Sequence, residues 1–388
     1  MAVQREERPS LEATWPGLAH LTQSILASLG GRAFNNTFRL EAASATCLLL
    51  IDGLGWHLLH EHAHRAPFLA ALMRPDGCFR VGFPATTATS LASITSGLAS
   101  GAHGIVGCSF ALDAQTALSP LTWSSSALQG EGACSPVPVP DDFIVPRMAW
   151  SKAAEQGIAI STLMLGRYAT SDFSRAIYRA GEILPAVAYE AYPALVRKAL
   201  EAERPALCFA YFGDLDFAGH VYGPGSEPWL KQLEIADQLA QSIALYLPAG
   251  ADLKVIADHG MVRLDSARVV DFDEDATLQQ GVHAVAGDIR ARHVYVAEHQ
   301  LDRVLARWQE RLGDAYTVLS KAQAIKQSLF GDVVLSGAEA RIGDLIVIPR
   351  GHGGIIRSQV EKHASQWFGH HGGLADEDQW VPLLQYTP

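Results

Sequence analysis

The chain has 388 residues, 48% of them hydrophobic and 18% charged, a composition that excludes an intrinsically disordered chain and leaves room for one large core or two domains. Its formal net charge of -11 argues against a general duplex-binding role, which needs a basic face. A small phosphorylated substrate stays compatible with that charge, because bound metal ions reverse its sign locally.

The N-terminal stretch MAVQREERPSLEATWPG is charged and lacks the apolar run of a secretory signal. The cysteines, Cys47, Cys78, Cys108, Cys134 and Cys208, are odd in number, and no two have C-x-x-C spacing, so neither a disulfide framework nor a thiolate zinc site is expected. No uncharged apolar run reaches the length of a membrane span. A soluble, cytoplasmic protein is expected, with neither a membrane nor a nucleic-acid polymer as partner.

In chain order, residues 17–30 predict an entry helix. TCLLLIDGLG (46–55) is a short apolar run ended by glycine, which suits a central parallel strand with Asp52 at its carboxyl end. Residues 55–73 read as one helix. FPATTATSLASITSGLASGAHGIVG (83–107) brings Thr86, Thr87 and Thr89 to the start of a helical run near 90–98. Residues 111–142, rich in Ser, Gly and Pro, read as a loop excursion. Strands are predicted at 160–165, 206–216 and 251–260, and helices at 191–203 and 228–247.

Strand and helix alternate, which predicts an α/β fold with a doubly wound, mostly parallel sheet. Ligands bind such sheets outside the carboxyl ends of their strands, and Asp52, Asp216 and Asp258 fall at such ends. From about 271 to 365 the pattern changes to a small α+β insertion: a strand at 292–299, a helix at 301–313 and a strand at 343–351. Residues 368–384 then return to the core. The expected division is a catalytic core of residues 1–270 and 366–388, capped by residues 271–365.

YFGDLDFAGHVYGP (211–224) contains Asp216 and His220 in D-x-x-G-H spacing, and an acid and a histidine four apart face the same way on one helical turn. Carboxylate with imidazole suits zinc and neighbouring first-row metals, although a structural Asp–His pair has the same appearance. VIADHGM (255–261) sets Asp258 beside His259, and both reach one ion only where the strand breaks into a turn, which Gly260 supplies. The other reading is a turn that merely ends a strand. GHHGGLADEDQWVPLL (369–384) offers His370 and His371, and RGHGGII offers His352 in a similar local form. Local sequence does not choose between them. The threonine cluster has two compatible uses: N-capping of the following helix, and catalysis by a hydroxyl that metal coordination activates beside helix N–H groups that favour an anion. Trp123, Trp150, Tyr168 and Phe173 are assigned to packing rather than to stacking on a base.

Together these motifs, in this order, resemble the alkaline phosphatase superfamily, and within it the type I phosphodiesterase/nucleotide pyrophosphatase group. The resemblance runs from about Asp52 to the C-terminus. FPATTATSLASITSGLASGAHGIVG is similar to that group's nucleophile segment, from its F-P start to its H-G-I close, and this frame puts Thr87 at the nucleophile position. The resemblance implies two zinc ions, one held by Asp52, Thr87, Asp258 and His259, the other by Asp216, His220 and His371. The H-G-G-L…V-P-L pattern selects His371 over His370 and His352, and the D-x-x-G-H spacing selects Asp216 over Asp214. Two ions roughly 3.5–4 Å apart clamp both ends of an in-line displacement, so the implied reaction cleaves a phosphodiester or pyrophosphate bond of a small molecule through a phosphothreonine. The group's asparagine shortly after H-G-I, which helps bind a phosphoryl oxygen, is missing. HGIVGCSF carries Cys108 in that region, a substrate-binding candidate or a small filler, and a backbone N–H or a cap residue is a possible replacement donor. A phosphonate hydrolase, a phosphomonoesterase and a noncatalytic metal-stabilised binding protein are the competing readings. Thr87 argues against a sulfatase, which normally uses a modified Cys or Ser.

Overall fold

The structure is a computed structural model that describes residues 16–128, 135–139, 143 and 148–388. The N-terminal signal reading, Cys134 and part of the 111–142 excursion lie outside the described residues. Seven strands form the central sheet: β1 (Ala45–Ile51), β2 (Cys78–Arg80), β3 (Ala159–Leu165), β4 (Glu182–Ala186), β5 (Ala206–Phe212), β6 (Ala251–Ile256) and β7 (Trp380–Tyr386). Their spatial order is β2-β7-β6-β1-β5-β3-β4. β1 pairs in parallel with β5 and β6, and β3 in parallel with β5 and β4. Only β7, the C-terminal return, runs antiparallel, against β6 and β2. The sheet is therefore mostly parallel, as its apolar runs predict. Every residue of β1 is buried, the pattern of a strand covered on both faces.

Helices pack around this sheet in two sets. Tyr192–Ala202 and Glu227–Tyr246 lie together, with Pro67–Leu72 against the second of them, and Leu18–Ser28, Thr87–Ser96 and Ala149–Glu155 form the other set. The predicted helix over 55–73 breaks into Trp56–Glu61, a 3-10 turn at Ala63–Arg65 and Pro67–Leu72. Pro67 explains the break: it restricts Ala66, which adopts φ -133 and ψ 65 instead of helical angles. The described part of the 111–142 excursion is more regular than a loop. Phe110–Ala111, Thr116–Ser119 and Ser124–Ala127 pair as a three-stranded antiparallel sheet. Trp123, Trp150 and Phe173 are buried and Tyr168 is half-buried against the same core, so all four aromatics pack as assigned.

Between residues 282 and 349 a second sheet forms, antiparallel throughout, in the order Val282–Asp288, Ala291–Val296, Leu345–Pro349, Tyr316–Ser320. With the helix Leu301–Leu312 it encloses its own apolar cluster around Trp308, Val294, Leu345 and Val347. Two buried arginines tie this unit down. Arg290 makes a two-pronged pair with Asp378, at 2.9 and 2.7 Å, and also donates to the Gly351 and Gly353 carbonyls. Arg292 pairs with Glu361 at 2.9 and 2.6 Å and donates to the carbonyls of Gly287 and Ile355. Guanidinium forks of this kind satisfy several buried acceptors at once.

Candidate metal centre and hydroxyl nucleophile

The site lies where β1, β5 and β6 end. Asp52 directly follows β1, and Asp258 and His259 lie just past the end of β6. Asp216 is not at a strand end proper. It lies in the first turn of the helix Asp214–Tyr222, with His220 one turn later on the same face. His371 follows the short strand Gly369–His370, which pairs with Val262–Arg263 just beyond His259. Four distant stretches of sequence thus meet at the carboxyl ends of the strands.

They meet as two trios. Asp52, Asp258 and His259 bring one ligand atom each within 4.8 Å of one another, and so do Asp216, His220 and His371. The His259 and His371 rings stack at 3.6 Å between centroids and 16° between planes, so the two trios adjoin. Thr87 Oγ1 is 3.1 Å from His259 Nε2. His371 Nε2 is 3.2 Å from His220 Nε2. Asp214 instead pairs with Arg167 at 2.5 Å, and His352 with Glu377 at 3.5 Å. His370 is buried with its Nε2 against the Trp367 carbonyl.

Three features fit cations. First, Oδ1 of Asp52, Oδ1 of Asp216 and Oδ2 of Asp258 are buried without a hydrogen-bond partner, a costly arrangement unless something else satisfies them. Second, each histidine turns Nδ1 to a backbone carbonyl: His259 to Gly260 at 2.9 Å, His220 to Gly369 at 2.7 Å and His371 to Ala85 at 3.0 Å. A proton on Nδ1 makes that contact and leaves the Nε2 lone pair for a metal, the usual outer support of a metal-binding imidazole. Third, the donors are imidazole nitrogen and carboxylate oxygen, the set that suits zinc.

The electrostatics agree. Burial, then the charges of Asp258 and Asp216, push the Asp52 carboxyl well above the usual carboxylate range. Burial raises Asp258 too, against the opposing pull of His259. Burial, then His259 and His220, hold His371 well below the ordinary imidazole value. Acids and imidazoles crowded in a dry place are each driven toward neutrality, and cations would reverse that tendency for the acids.

Thr87 is the first residue of its helix, with Thr86 at the N-cap position. Neither serves as a side-chain cap: Thr86 makes no capping hydrogen bond, and the Thr87 hydroxyl faces His259. Thr89 donates to the Ile105 carbonyl at 3.1 Å, and Ser90 to the Asp258 carbonyl at 2.7 Å, which ties the helix to the acid-bearing turn. The capping use expected of this cluster is therefore not the one the structure shows.

Two glycines let the parts approach. Gly53 has φ +73, and a Cβ there would come within 3.1 Å of Asp216 Oδ1. Its N–H donates to Asp258 Oδ1 at 3.2 Å. Gly260 is needed for proximity rather than for an unusual dihedral: a Cβ would lie 2.0 Å from the Glu377 carbonyl oxygen.

The half-buried Cys108 donates its backbone N–H to Asp288 Oδ2 at 3.2 Å. Burial raises the Asp288 carboxyl, and the neighbouring Thr86 side chain pulls it back down. The side chain of the 282–349 unit that meets Cys108 is therefore an acid, and the local backbone donor is already engaged. Burial and the Asp288 charge push the Cys108 thiol up, away from the thiolate a nucleophile needs. Sequence reading missed Asp288, Arg290 and also Tyr211, whose hydroxyl donates to Asp52 Oδ2 at 2.5 Å. Burial and the Asp52 charge raise that phenol, which keeps it a donor.

Fold and site together define a metal-dependent hydrolase of the alkaline phosphatase superfamily. Residues 46–374 match the model of the family described as type I phosphodiesterase / nucleotide pyrophosphatase, and the chain belongs to that family, whose enzymes hydrolyse phosphodiester bonds. Solved structures with a similar fold include murine ectonucleotide pyrophosphatase/phosphodiesterase 5, at 19% identity and a TM-score of 0.64 over 88% of each chain. An inactive threonine-to-alanine variant of that murine protein in complex with AMP matches at 18% and 0.65, over 88% of this chain and 87% of that one. The human counterpart matches at 17% and 0.63, over 88% of each chain. No curated protein sequence matches.

Proposed function

We propose that this chain cleaves a phosphodiester or pyrophosphate bond of a small phosphorylated molecule, with Thr87 as nucleophile and two zinc ions held by the two trios. The observation that carries the reading is the Thr87 hydroxyl, 3.1 Å from His259 Nε2 where one trio adjoins the other. Asp52, Asp258, His259 and Thr87 would hold one ion, and Asp216, His220 and His371 the other. When bound, the ions supply the Lewis acidity that makes the alcohol an effective attacking group and offsets charge on the phosphoryl and leaving oxygens.

The chain's own residues do the rest. The start of a ten-residue helix puts Thr87 Oγ1 beside free backbone N–H groups, which favour the phosphoryl oxygens. Thr87 Oγ1 gives up its proton to solvent and forms a bond to phosphorus, and the ester oxygen leaves with its electron pair and takes up a proton from water. Water then cleaves the phosphothreonine and restores the hydroxyl. His220 and His371, each held through Nδ1, keep the leaving side of the site fixed. The AMP seated in the murine neighbour supports a nucleotide-like substrate for this chain too. We assign the role of cap to residues 271–365, because Asp288 reaches from that stretch to Thr86 and Cys108.

Elemental analysis should find close to two zinc equivalents per chain. A chromogenic phosphodiester, a monoester and phosphonoacetate, compared side by side, should show the diester turned over fastest. A metal-replete protein that hydrolyses none of the three contradicts the assignment.

A further inference from the structure

Resting on that two-ion reading, we propose that Tyr211 is a positioning residue that fixes Asp52 as a one-oxygen metal ligand. Tyr211 lies on β5, in register with Leu50 of β1, two residues before Asp52. Its O–H donates to Asp52 Oδ2 at 2.5 Å. That leaves Oδ1 buried, without a hydrogen-bond partner and 3.3 Å from His259 Nε2.

Four of the other ligands are oriented by main chain. Gly53 and His259 N–H groups hold Asp258 Oδ1, and backbone carbonyls hold the three histidines. Among the described residues, Tyr211 is the one side chain outside the two trios and Thr87 with a hydrogen bond to the side chain of any of them; the Ser90 hydroxyl meets only the main-chain carbonyl of Asp258. Tyr211 is itself held in place: the Tyr192 hydroxyl donates to its carbonyl at 2.8 Å, and the Tyr168 ring meets its ring edge-on at 5.5 Å. A carboxylate with both oxygens free can chelate an ion through both. With Oδ2 engaged, Asp52 offers Oδ1 alone, which keeps a ligand position open for Thr87 Oγ1. Outer partners of this type fix the orientation of a ligand and tune its metal affinity.

The test strips wild type, Tyr211→Phe and Tyr192→Phe of metal and reloads each with cobalt(II). Chelator competition gives the affinity of each bound equivalent, the visible spectrum reports coordination geometry, and melting of the ion-free forms reports the fold. Tyr211→Phe should weaken one equivalent by about 10–100-fold and change its absorption bands, with the other equivalent unchanged and a cooperative ion-free melt showing that the variant folds. Tyr192→Phe, which removes only the bond to the Tyr211 main-chain carbonyl, should change the same equivalent by less than Tyr211→Phe does, and an equal or larger change would overturn the proposal. Both equivalents bound as in wild type with an identical spectrum would overturn the proposal. Should Tyr211→Phe not fold, 3-fluorotyrosine at position 211 keeps the ring and strengthens the donor. It should shift the same bands, and an unshifted spectrum would overturn the proposal equally. A wild-type chain that takes up fewer than two ions sinks the underlying two-ion reading instead, an outcome distinct from a two-ion wild type with an unaltered Tyr211→Phe.

Discussion

The His259 ring lies flat on the His371 ring, 3.6 Å between centroids, although 112 positions of sequence separate them. One belongs to each trio, so this contact joins the two halves of the site.

The crowded acids predict a trade of stability for function. Asp52 has its carboxyl pushed up in the fold. A group raised in this way adds stability below its unfolded value, about 3.9, and loses it as pH rises through the folded value. Ion-free Asp52→Asn should therefore be more stable than ion-free wild type, with a gap that widens as pH rises from 4 to 8. Urea midpoints across that range, in chelator, check this. A gap that narrows with pH contradicts the sign.

Gly53 predicts a local lesion. An alanine there carries strain at φ +73 and presses its methyl on Asp216. Gly53→Ala should cost about 1–2 kcal/mol and lower metal uptake, measured by elemental analysis after dialysis. Retention of both ions and of full activity would show that the acids tolerate a wider spacing.

His103, in the H-G-I close, is structural. Its Nδ1 accepts the Ile105 N–H at 3.1 Å, so Nε2 carries the proton, toward Ser93 Oγ at 3.0 Å. Burial, then Arg341, push it down to about 3. A histidine lowered in the fold contributes stability in full above its unfolded value, about 6.5, and loses it as pH falls toward 3. His103→Asn keeps an acceptor for Ile105. It should be less stable at pH 7 by about 1 kcal/mol, yet lose about 1.4 kcal/mol less per pH unit between 6 and 4. Denaturation midpoints against pH decide it, and parallel curves contradict the assignment.

Arg290 and Asp378 should be costly to separate. Both are fully buried, so Asp378→Ala leaves an unpaired guanidinium, at about 3–5 kcal/mol. Replacing both with apolar residues of similar volume should cost less than the single change. Equal costs, by urea denaturation, would mean that the pair holds nothing together.

Much of this was legible because the strands are apolar runs with polar ends. LLLID and VIADHG announce both a buried parallel strand and the acid at its mouth, and the D-x-x-G-H spacing puts two ligands on one helical face. What pattern could not show depends on register between distant strands. Tyr211 meets Asp52 across 159 positions, only because Tyr211 pairs with Leu50. Asp288 reaches Cys108 across 180 positions from a hairpin with no local signal of a site. The small sheet after Phe110 was hidden by its Ser-rich composition, and the break at Ala66 was available from Pro67 alone.

The most direct test of the central claim is turnover of a chromogenic phosphodiester by Thr87→Ala with both metal equivalents verified in the same sample. The Thr87 hydroxyl makes no cap and is the alcohol beside His259, so the variant should fold, hold its ions and lose activity by on the order of 10³-fold or more. Wild-type turnover by a two-ion Thr87→Ala protein would contradict the account.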